Sequence, residues 1–286
     1  MNGPDQPSGS VIIPAWNEER VIGRTIDSLF RGIEPGCLEV IVVCNGCTDD
    51  TAGVVQSSAH PVTLVELTTA GKAAALRAGD QLANTSARLY LDADCQLPGT
   101  AALAVADALA SGSVAARPPV VFDLSRASWP VRSYYAVREH LPSVSGDLCG
   151  AGVYGLGASA RSRFGAFPDV VADDLFAARI VDRDEVSIID CAPVVIKPPT
   201  DARSLTTTLA RVYRGNRELA QTLQGRAAST TWQTARELVP LIRRPRMWPH
   251  LLTYVALVAV GRARSHRGDS AWERDESSRS AEVSTA

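Results

Sequence analysis

Short apolar runs rich in β-branched residues alternate with helical patterns through the first half of the chain. Four of these runs have the length and composition of buried strands, at residues 11–13, 40–43, 62–67 and 89–91. The segments between them are long enough for the crossover helices that parallel strands require. The pattern therefore predicts an α/β fold with a mostly parallel sheet flanked by helices.

Helical patterns are clearest in three segments of this half of the chain. In the first crossover the apolar positions recur every three or four residues, at Val21, Ile22, Ile26, Leu29, Phe30 and Ile33. Residues 73–82 and 101–110 are alanine-rich, which favours helix. Beyond residue 112 the pattern is mixed. It predicts a strand at 120–122, a helix near 132–140 and a longer helix over 206–223.

The pattern divides the chain into three parts. We predict an α/β domain over residues 1–200, with one half at about 10–112 and a second half at about 113–200. A helical extension follows at 201–264. Residues 265–286 are rich in Ser, Arg, Asp and Glu and are expected to form a flexible polar tail.

Composition narrows the range of partners. The 29 basic and 31 acidic residues give a formal charge of -2, so no overall basic field indicates nucleic acid as a partner. Residues 1–10 have no signal-peptide pattern, and the protein is expected to be cytoplasmic. Cys44 and Cys47 form a CxxC in a turn sequence without a second pair, which favours ordinary reduced thiols.

Two carboxylates follow the fourth apolar run, at Asp92 and Asp94. Ligands of open α/β sheets bind at the carboxyl ends of the strands. Hard oxygen ligands in an incomplete shell suit Mg²⁺ or Mn²⁺, which would accept further oxygens from a diphosphate. Acids at such a position also serve as turn formers or helix caps, so this pair alone leaves both interpretations open.

Three other predicted strand ends also carry polar residues, within 14–18, 45–50 and 70–75. In order and spacing, these segments and the Asp92 pair resemble the inverting glycosyltransferases of family 2, which have the GT-A fold. The resemblance covers roughly residues 10–180. It implies transfer of a sugar from a nucleoside-diphosphate sugar to an acceptor hydroxyl, with inversion and with Mg²⁺ or Mn²⁺ as cofactor.

The resemblance assigns the nucleotide to the loop after the first strand. The family's Pro-x-x-Asn-Glu pattern corresponds here to Pro14, Ala15, Asn17 and Glu18. Asn17 and Glu18 could also start the helix that follows. At the second strand end the chain departs from the family, because Cys44 and Asn45 stand where acids are usual. Asn45 could still hydrogen-bond a base edge through its amide.

The resemblance also assigns Lys72 and the Asp92 segment to the donor. Gly71 and Lys72 at a helix start offer backbone N–H groups and one cation to a phosphate or a nucleobase edge. Asp92 would contact the ribose or the metal ion, Ala93 would line the nucleotide-sugar site, and Asp94 would bind the metal directly. A solvated lysine at a helix end is the alternative for Lys72.

On the acceptor side, Asp173 and Asp174 resemble the family's Glu-Asp motif, with Asp174 at the position of the general base. A base is needed to take the proton from the attacking hydroxyl. The two acids could instead cap the following helix. Residues 150–157 resemble the family's glycine-containing loop and strand below the sugar. Arg214 matches a single position of a Gln-x-x-Arg-Trp segment and could bind the diphosphate, and a solvated arginine on a helix is an equally good interpretation.

An apolar segment near the end of the chain is flanked by arginines. It is too short and too interrupted to predict a membrane span, which needs about 20 residues. An interfacial helix over 243–267 at the inner face of a membrane and a helix packed on protein are both open. A glycan, a lipid-linked sugar and a small molecule all remain open as acceptors.

Two further functions fit the same fold class. A sugar nucleotidyltransferase would normally carry a glycine-rich basic loop after the first strand, which residues 14–18 do not provide. A catalytically inactive sugar-nucleotide-binding or scaffold protein would be expected to lack Asp92, Asp94 or Asp174, and all three are present.

Overall fold

The computed structural model describes residues 6–142, 146–170, 172–222 and 230–266. The chain divides into two compact units, one formed by residues 1–121 and 148–196 and the other by 122–147 and 197–286. The predicted flexible tail lies almost entirely outside the described residues, from 267 onward. Val171 in the predicted acceptor motif and residue 223 of the predicted long helix also lie outside them.

The described strands are short and follow the β-branched runs of the sequence. They are β1 (Gly9–Ala15), β2 (Leu38–Asn45), β3 (Thr63–Leu67), β4 (Arg88–Leu91), β5 (Ala115–Arg117), β6 (Val120–Phe122), β7 (Val153–Leu156), β8 (Val186–Ile188) and β9 (Val194–Ile196). Seven of them form one sheet in the order β3-β2-β1-β4-β7-β5-β8, and β6 and β9 form a two-stranded sheet. In the large sheet β7 alone is antiparallel to its neighbours, which confirms the predicted mostly parallel α/β architecture.

Helices connect the strands. They are α1 (Ile22–Leu29), α2 (Thr51–Gln56), α3 (Lys72–Leu82), α4 (Gly99–Ala110), α5 (Trp129–Arg138), α6 (Ala158–Arg161), α7 (Asp173–Ile180), α8 (Ala202–Thr222), α9 (Thr230–Ile242) and α10 (Trp248–Ser265). The predicted helices at 73–82, 101–110 and 206–223 correspond to α3, α4 and α8. The helix predicted near 132–140 corresponds to α5, which starts earlier, at Trp129. Trp129 and Pro130 occupy its first turn, where proline is well tolerated.

The core of the first unit lies on both faces of the sheet. Alternate residues of β1 and β2 point to opposite faces, as the period of a strand requires. Val11 and Val42 belong to the large cluster that includes α1 and α4. Ile41 and Val43 pack instead with Ala75 of α3. Burial on both faces explains why these strands are continuous apolar runs rather than alternating ones.

One buried carboxylate, Asp80 on α3, ties three elements together. Its Oδ1 accepts hydrogen bonds from Arg88 Nη1 at 2.5 Å and from the Tyr90 hydroxyl at 2.7 Å, both from β4. Its Oδ2 accepts a bond from Arg161 Nε at 2.8 Å and another from Arg161 Nη2. Burial alone would raise the pKa of Asp80, but these bonds and the charge of Arg88 hold it below its ordinary value.

The second unit is helical. Its core is formed by α5, α8 and α10 with a contribution from α9, and Tyr134 stacks on Tyr254 with ring centroids 5.1 Å apart. Gly261 allows α10 to approach α8 closely, since a Cβ at this position would lie 2.7 Å from Leu209 Cβ. In the described part of the chain, every helix falls short of the length and apolarity needed to cross a membrane.

The two compact units do not follow the predicted division at residue 200. The segment 122–147, which we assigned to the α/β domain, belongs to the helical unit. The physical reason is that Val131, Tyr134 and Val137 of α5 are buried in the same cluster as Leu205 of α8 and Leu257 of α10. Apolar spacing shows that a helix has a buried face, but it does not show which element covers that face.

We predict that Asp80→Asn lowers the free energy of unfolding by about 3 kcal/mol, because it leaves two largely buried arginines without their carboxylate. Asp169→Asn is the control. Asp169 also pairs with an arginine, Arg77, but its side chain is 83% exposed, so a loss below about 1 kcal/mol is expected. Urea denaturation measures both.

Because the pKa of folded Asp80 is lowered, its stabilisation is present above the ordinary aspartate pKa of about 3.9 and is lost as the pH falls through the folded value. Wild type should therefore lose more stability between about pH 5 and pH 2 than Asp80→Asn does. Equal acid sensitivity of the two proteins would contradict this account of Asp80.

Candidate active site

The loop after β1 is fastened to the loop after β2. Asn17 adopts a positive φ of 52°, and its side chain bridges to Thr48. Its Oδ1 accepts a hydrogen bond from Thr48 N at 2.7 Å, and its Nδ2 donates to Thr48 Oγ1 at 3.1 Å. The backbone N–H of Glu18 donates to Thr51 Oγ1 at 2.7 Å. The two predicted nucleotide-binding loops therefore form one structure at the carboxyl edge of the sheet.

Asn45 connects these loops to the start of α3. It is 3% exposed, and its Nδ2 donates to the carbonyl of Ala15 at 2.8 Å. Its Oδ1 accepts a hydrogen bond from the N–H of Gly71, just before α3, at 2.9 Å. The amide of Asn45 therefore bonds to backbone groups of the neighbouring loops, and its contact with a nucleobase stays a prediction.

The next residue, Gly46, explains why this junction is tight. Its φ is +61°, and a Cβ here would lie 2.4 Å from the backbone nitrogen of Ala70. Only glycine fits such an approach without a shift of the backbone.

Cys44, near the end of β2, is buried beside Cys47. Burial is the main cause that raises the pKa of the Cys44 thiol to about 12, and the neighbouring Cys47 raises it further. Cys44 is therefore a protonated thiol at neutral pH.

The central feature of the site is an ammonium group held between two carboxylates. Lys72 Nζ lies 2.8 Å from Asp92 Oδ1 at the end of β4 and 2.8 Å from Asp173 Oδ1 at the start of α7. Burial would lower the pKa of Lys72, but the charges of Asp173 and Asp92 outweigh it and hold the pKa above its ordinary value. The lysine is therefore charged at every physiological pH.

Asp173 is also fixed from its other oxygen. The Tyr154 hydroxyl of β7 donates to Asp173 Oδ2 at 2.9 Å, and the Asp173 side chain is only 5% exposed. Tyr154 stacks on Tyr90, whose hydroxyl reaches Asp80 in the network described above. Both oxygens of Asp173 are engaged inside the protein, so its position is set by β7 and α3 together.

Asp174 has a different environment. Its Oδ2 accepts a hydrogen bond from the N–H of Gly150 at 2.8 Å, and the residue is half-buried. Burial and the negative charge of Asp173 raise its pKa, although Lys72 opposes this. A carboxylate with a raised pKa is a better proton acceptor than an ordinary aspartate.

The end of β4 carries the predicted metal ligands. Asp94 is exposed, whereas Ala93 between the two acids is buried, and its carbonyl accepts a hydrogen bond from Thr25 Oγ1 of α1 at 2.7 Å. The N–H of Asp92 donates to the carbonyl of Gly152 at 2.8 Å. These contacts attach the turn that bears both acids to α1 and to the loop before β7.

The donor set fits a divalent cation that takes most of its ligands from elsewhere. Asp92 and Asp94 offer carboxylate oxygens, as Mg²⁺ and Mn²⁺ prefer. Within the described ranges, no group of three or more His, Cys, Asp or Glu side chains is arranged to hold a metal ion. Water and a substrate diphosphate would have to complete the shell, which is the usual situation for Mg²⁺ bound with a nucleotide.

One pocket is lined by five of the predicted site residues, and Ala93 and Asp94 are not among its lining residues. Pro14, Lys72, Asp92, Asp173 and Asp174 all line it, together with Tyr90, Gly152 and Tyr154. Asn17, Glu18, Ala15 and Asn45 lie in the joined loops at the same sheet edge and are not among its lining residues. Arg214 lies on α8 in the second unit, and its assignment to the diphosphate stays a prediction.

Three residues of the site were missed by the sequence analysis. Tyr154 lay in a segment that we described only by its glycines, and Thr48 and Gly150 were given no contact. A tyrosine within a run of small and apolar residues is a usable signal, because a buried hydroxyl needs a hydrogen-bond partner. Nothing in the sequence pairs Gly150 with Asp174, which is 24 residues away.

Comparison with known proteins identifies the family. The model of glycosyl transferase family 2 matches residues 10–152, which is half of the chain. A search of curated proteins by sequence finds no match.

Solved structures show the fold. The mannosyltransferase PcManGT from Pyrobaculum calidifontis, in complex with GDP-Man and Mn²⁺, is 19% identical with a TM-score of 0.62, covering 91% of this chain and 87% of that chain. TarS 1-349 from S. aureus in complex with UDP is 15% identical with a TM-score of 0.49 and 91% coverage of both chains. Glucosyl-3-phosphoglycerate synthase from Mycobacterium tuberculosis, with Mg²⁺ and UDP, is 18% identical with a TM-score of 0.49, covering 72% and 76%. The similarity to PcManGT confirms the GT-A fold.

Proposed function

Because the chain belongs to glycosyl transferase family 2, we propose that it transfers a sugar from a nucleoside-diphosphate sugar to an acceptor hydroxyl, with inversion at the anomeric carbon. The observation that carries this proposal is the pairing of Lys72 with both Asp92 and Asp173. Asp92 belongs to the donor side in this proposal, and Asp173 and its neighbour Asp174 belong to the acceptor side. In this proposal, the Lys72 cation holds the donor side and the acceptor side next to each other.

The charge of the pocket supports a metal-assisted mechanism. Asp92, Asp173 and Asp174 line it with Lys72, so its carboxylates outnumber its ammonium group. A diphosphate entering beside them would be repelled unless another cation lay between. We propose that Asp92 and Asp94 hold Mg²⁺ or Mn²⁺ there, where the ion would stabilise the leaving nucleoside diphosphate as a Lewis acid.

The donor class is proposed from the same geometry. The loops after β1 and β2, joined by Asn17 and Thr48, form a rim at the carboxyl ends of the strands, where open α/β sheets bind nucleotides. PcManGT, which shares this fold, was solved with GDP-Man and Mn²⁺, and this supports a nucleotide-sugar donor for the present chain.

Asp174 is proposed as the general base. Asp173 is poorly suited, because its oxygens are bound by Lys72 and Tyr154. Asp174 accepts hydrogen bonds from two backbone N–H groups, those of Gly150 and Leu175, and has a raised pKa. It would accept the proton of the acceptor hydroxyl while the oxygen attacks the anomeric carbon from the face opposite the leaving diphosphate. Asp173 then positions Lys72 and the start of α7.

We predict that one nucleoside diphosphate among UDP, GDP and dTDP binds in a Mn²⁺-dependent manner and that Asp94→Asn weakens this binding at least about tenfold, because a metal ligand is removed. Isothermal titration calorimetry with and without Mn²⁺ measures it. Asp107→Asn on the exposed surface of α4 is the matched control and should bind like wild type. If properly folded wild type bound none of these nucleotides, a scaffold function would replace the proposal.

We predict that Asp174→Asn lowers kcat by a factor of about 10² to 10⁴ while the Kd of the donor changes little, because the base is lost and the donor contacts remain. In wild type the base must be deprotonated. Since the pKa of Asp174 is raised, kcat/KM should fall with decreasing pH at a value above the ordinary aspartate pKa of about 3.9. Turnover by Asp174→Asn at the wild-type rate would exclude this role.

A further inference from the structure

The last described helix, α10, has an apolar face that is exposed in the part of the chain that the structure describes. Four large side chains on this face are exposed: Trp248 by 54%, Leu252 by 73%, Val255 by 56% and Val260 by 43%. Their spacing of four, three and five residues places them along one side of the helix. Ile242, at the end of α9, is 57% exposed, and its carbonyl accepts a hydrogen bond from Trp248 Nε1 at 2.8 Å. We call these five residues the apolar face.

The orientation of α10 is fixed by its other side. Leu251, Tyr254 and Leu257 are buried in the core of the helical unit, and Gly261 fits closely against Leu209 of α8. A rotation that hid the apolar face would expose these residues. The helix is therefore apolar on both sides over about four turns, although among the described residues only one side packs against other helices of the unit.

Between Glu237 and Asp269, the charged residues that flank the apolar face in the sequence have one sign. Residues 238–268 contain six arginines and no aspartate or glutamate. Arg243, Arg244 and Arg246 are exposed just before α10, and Arg262 and Arg264 are exposed in its last turns. The apolar face thus lies between two basic ends. This arrangement complements a surface that is apolar inside and negatively charged outside.

We propose that α10 lies in the interface of an anionic lipid bilayer, with the apolar face among the acyl chains near the headgroups and the arginines on the phosphates. Helices with exposed aromatic and aliphatic residues on one side and flanking arginines bind in this way. A tryptophan at the start of the helix suits the headgroup region. The uncharged stretch 247–261 has 15 residues and a length of about 22 Å, less than the roughly 30 Å of a bilayer core, so the helix would lie along the surface.

A second copy of the chain is a poorer occupant. A symmetric dimer through this face would bring the same basic segments of two copies together. Like charges across an interface are costly, and this segment offers no acidic residue to compensate. An anionic lipid surface supplies the negative charge that the arginines beside the apolar face require.

The test is vesicle flotation with the full chain. Wild type should bind vesicles that contain 30% phosphatidylglycerol, should bind pure phosphatidylcholine vesicles at least about tenfold more weakly, and should be released by high salt. Leu252→Glu/Val255→Glu removes the apolar contact and should abolish binding. Arg243→Gln/Arg244→Gln/Arg246→Gln should weaken binding to anionic vesicles on the order of 100-fold.

Val195→Glu is the matched control, because Val195 is a 50% exposed valine on β9 of the other unit. It should bind vesicles like wild type. Circular dichroism checks that each variant is folded. Absence of wild-type binding to anionic vesicles would overturn the proposal, and so would equal binding to neutral ones. A dimer detected by light scattering and dissociated by Leu252→Glu/Val255→Glu, without vesicle binding, would assign the face to a second copy instead.

Discussion

The site depends on one ammonium group. Lys72 begins α3, and its Nζ lies 2.8 Å from the carboxylate of Asp92, just after β4, and 2.8 Å from that of Asp173 on α7. Without it, the buried Asp173 and the partly exposed Asp92 would lie close together as uncompensated negative charges, which is an unfavourable arrangement. Lys72 therefore allows the chain to place several acids at one edge of the sheet, and this is the chemical requirement for binding a metal ion and activating a hydroxyl in the same pocket.

Other parts of the first unit hold this arrangement in register. Asn45 links the end of β1 to the residue before α3, so the position of Lys72 is tied to the central strands. On the opposite side Tyr154 fixes Asp173, and the Tyr154 ring stacks on Tyr90 above the Asp80 network. The polar groups of these residues are nearly all satisfied by neighbours, which is what makes a buried charged site stable and geometrically precise.

The strands, the main helices and the acids at the strand ends could be predicted from the sequence, because each depends on local pattern and strand order. The sequence was insufficient where a role depends on a partner distant along the chain. Asn45 bonds to Ala15 and Gly71, which come from two other loops, and no local pattern shows these contacts. Lys72 pairs with Asp173, 101 residues later, and its predicted contact with a phosphate or a nucleobase edge stays a prediction. The packing of α5 against α8 and α10 could not be predicted for the same reason, because these helices are distant from α5 along the chain.

The most direct test of the central claim is a double-mutant cycle of Lys72→Met and Asp173→Asn, measured as free energies of unfolding in urea. The account predicts that Lys72→Met is strongly destabilising, that Asp173→Asn in the same chain recovers part of the loss, and that the coupling energy is about 1–3 kcal/mol. Additive effects, with a coupling energy near zero, would show that Lys72 does not hold Asp173 in place and would contradict the account.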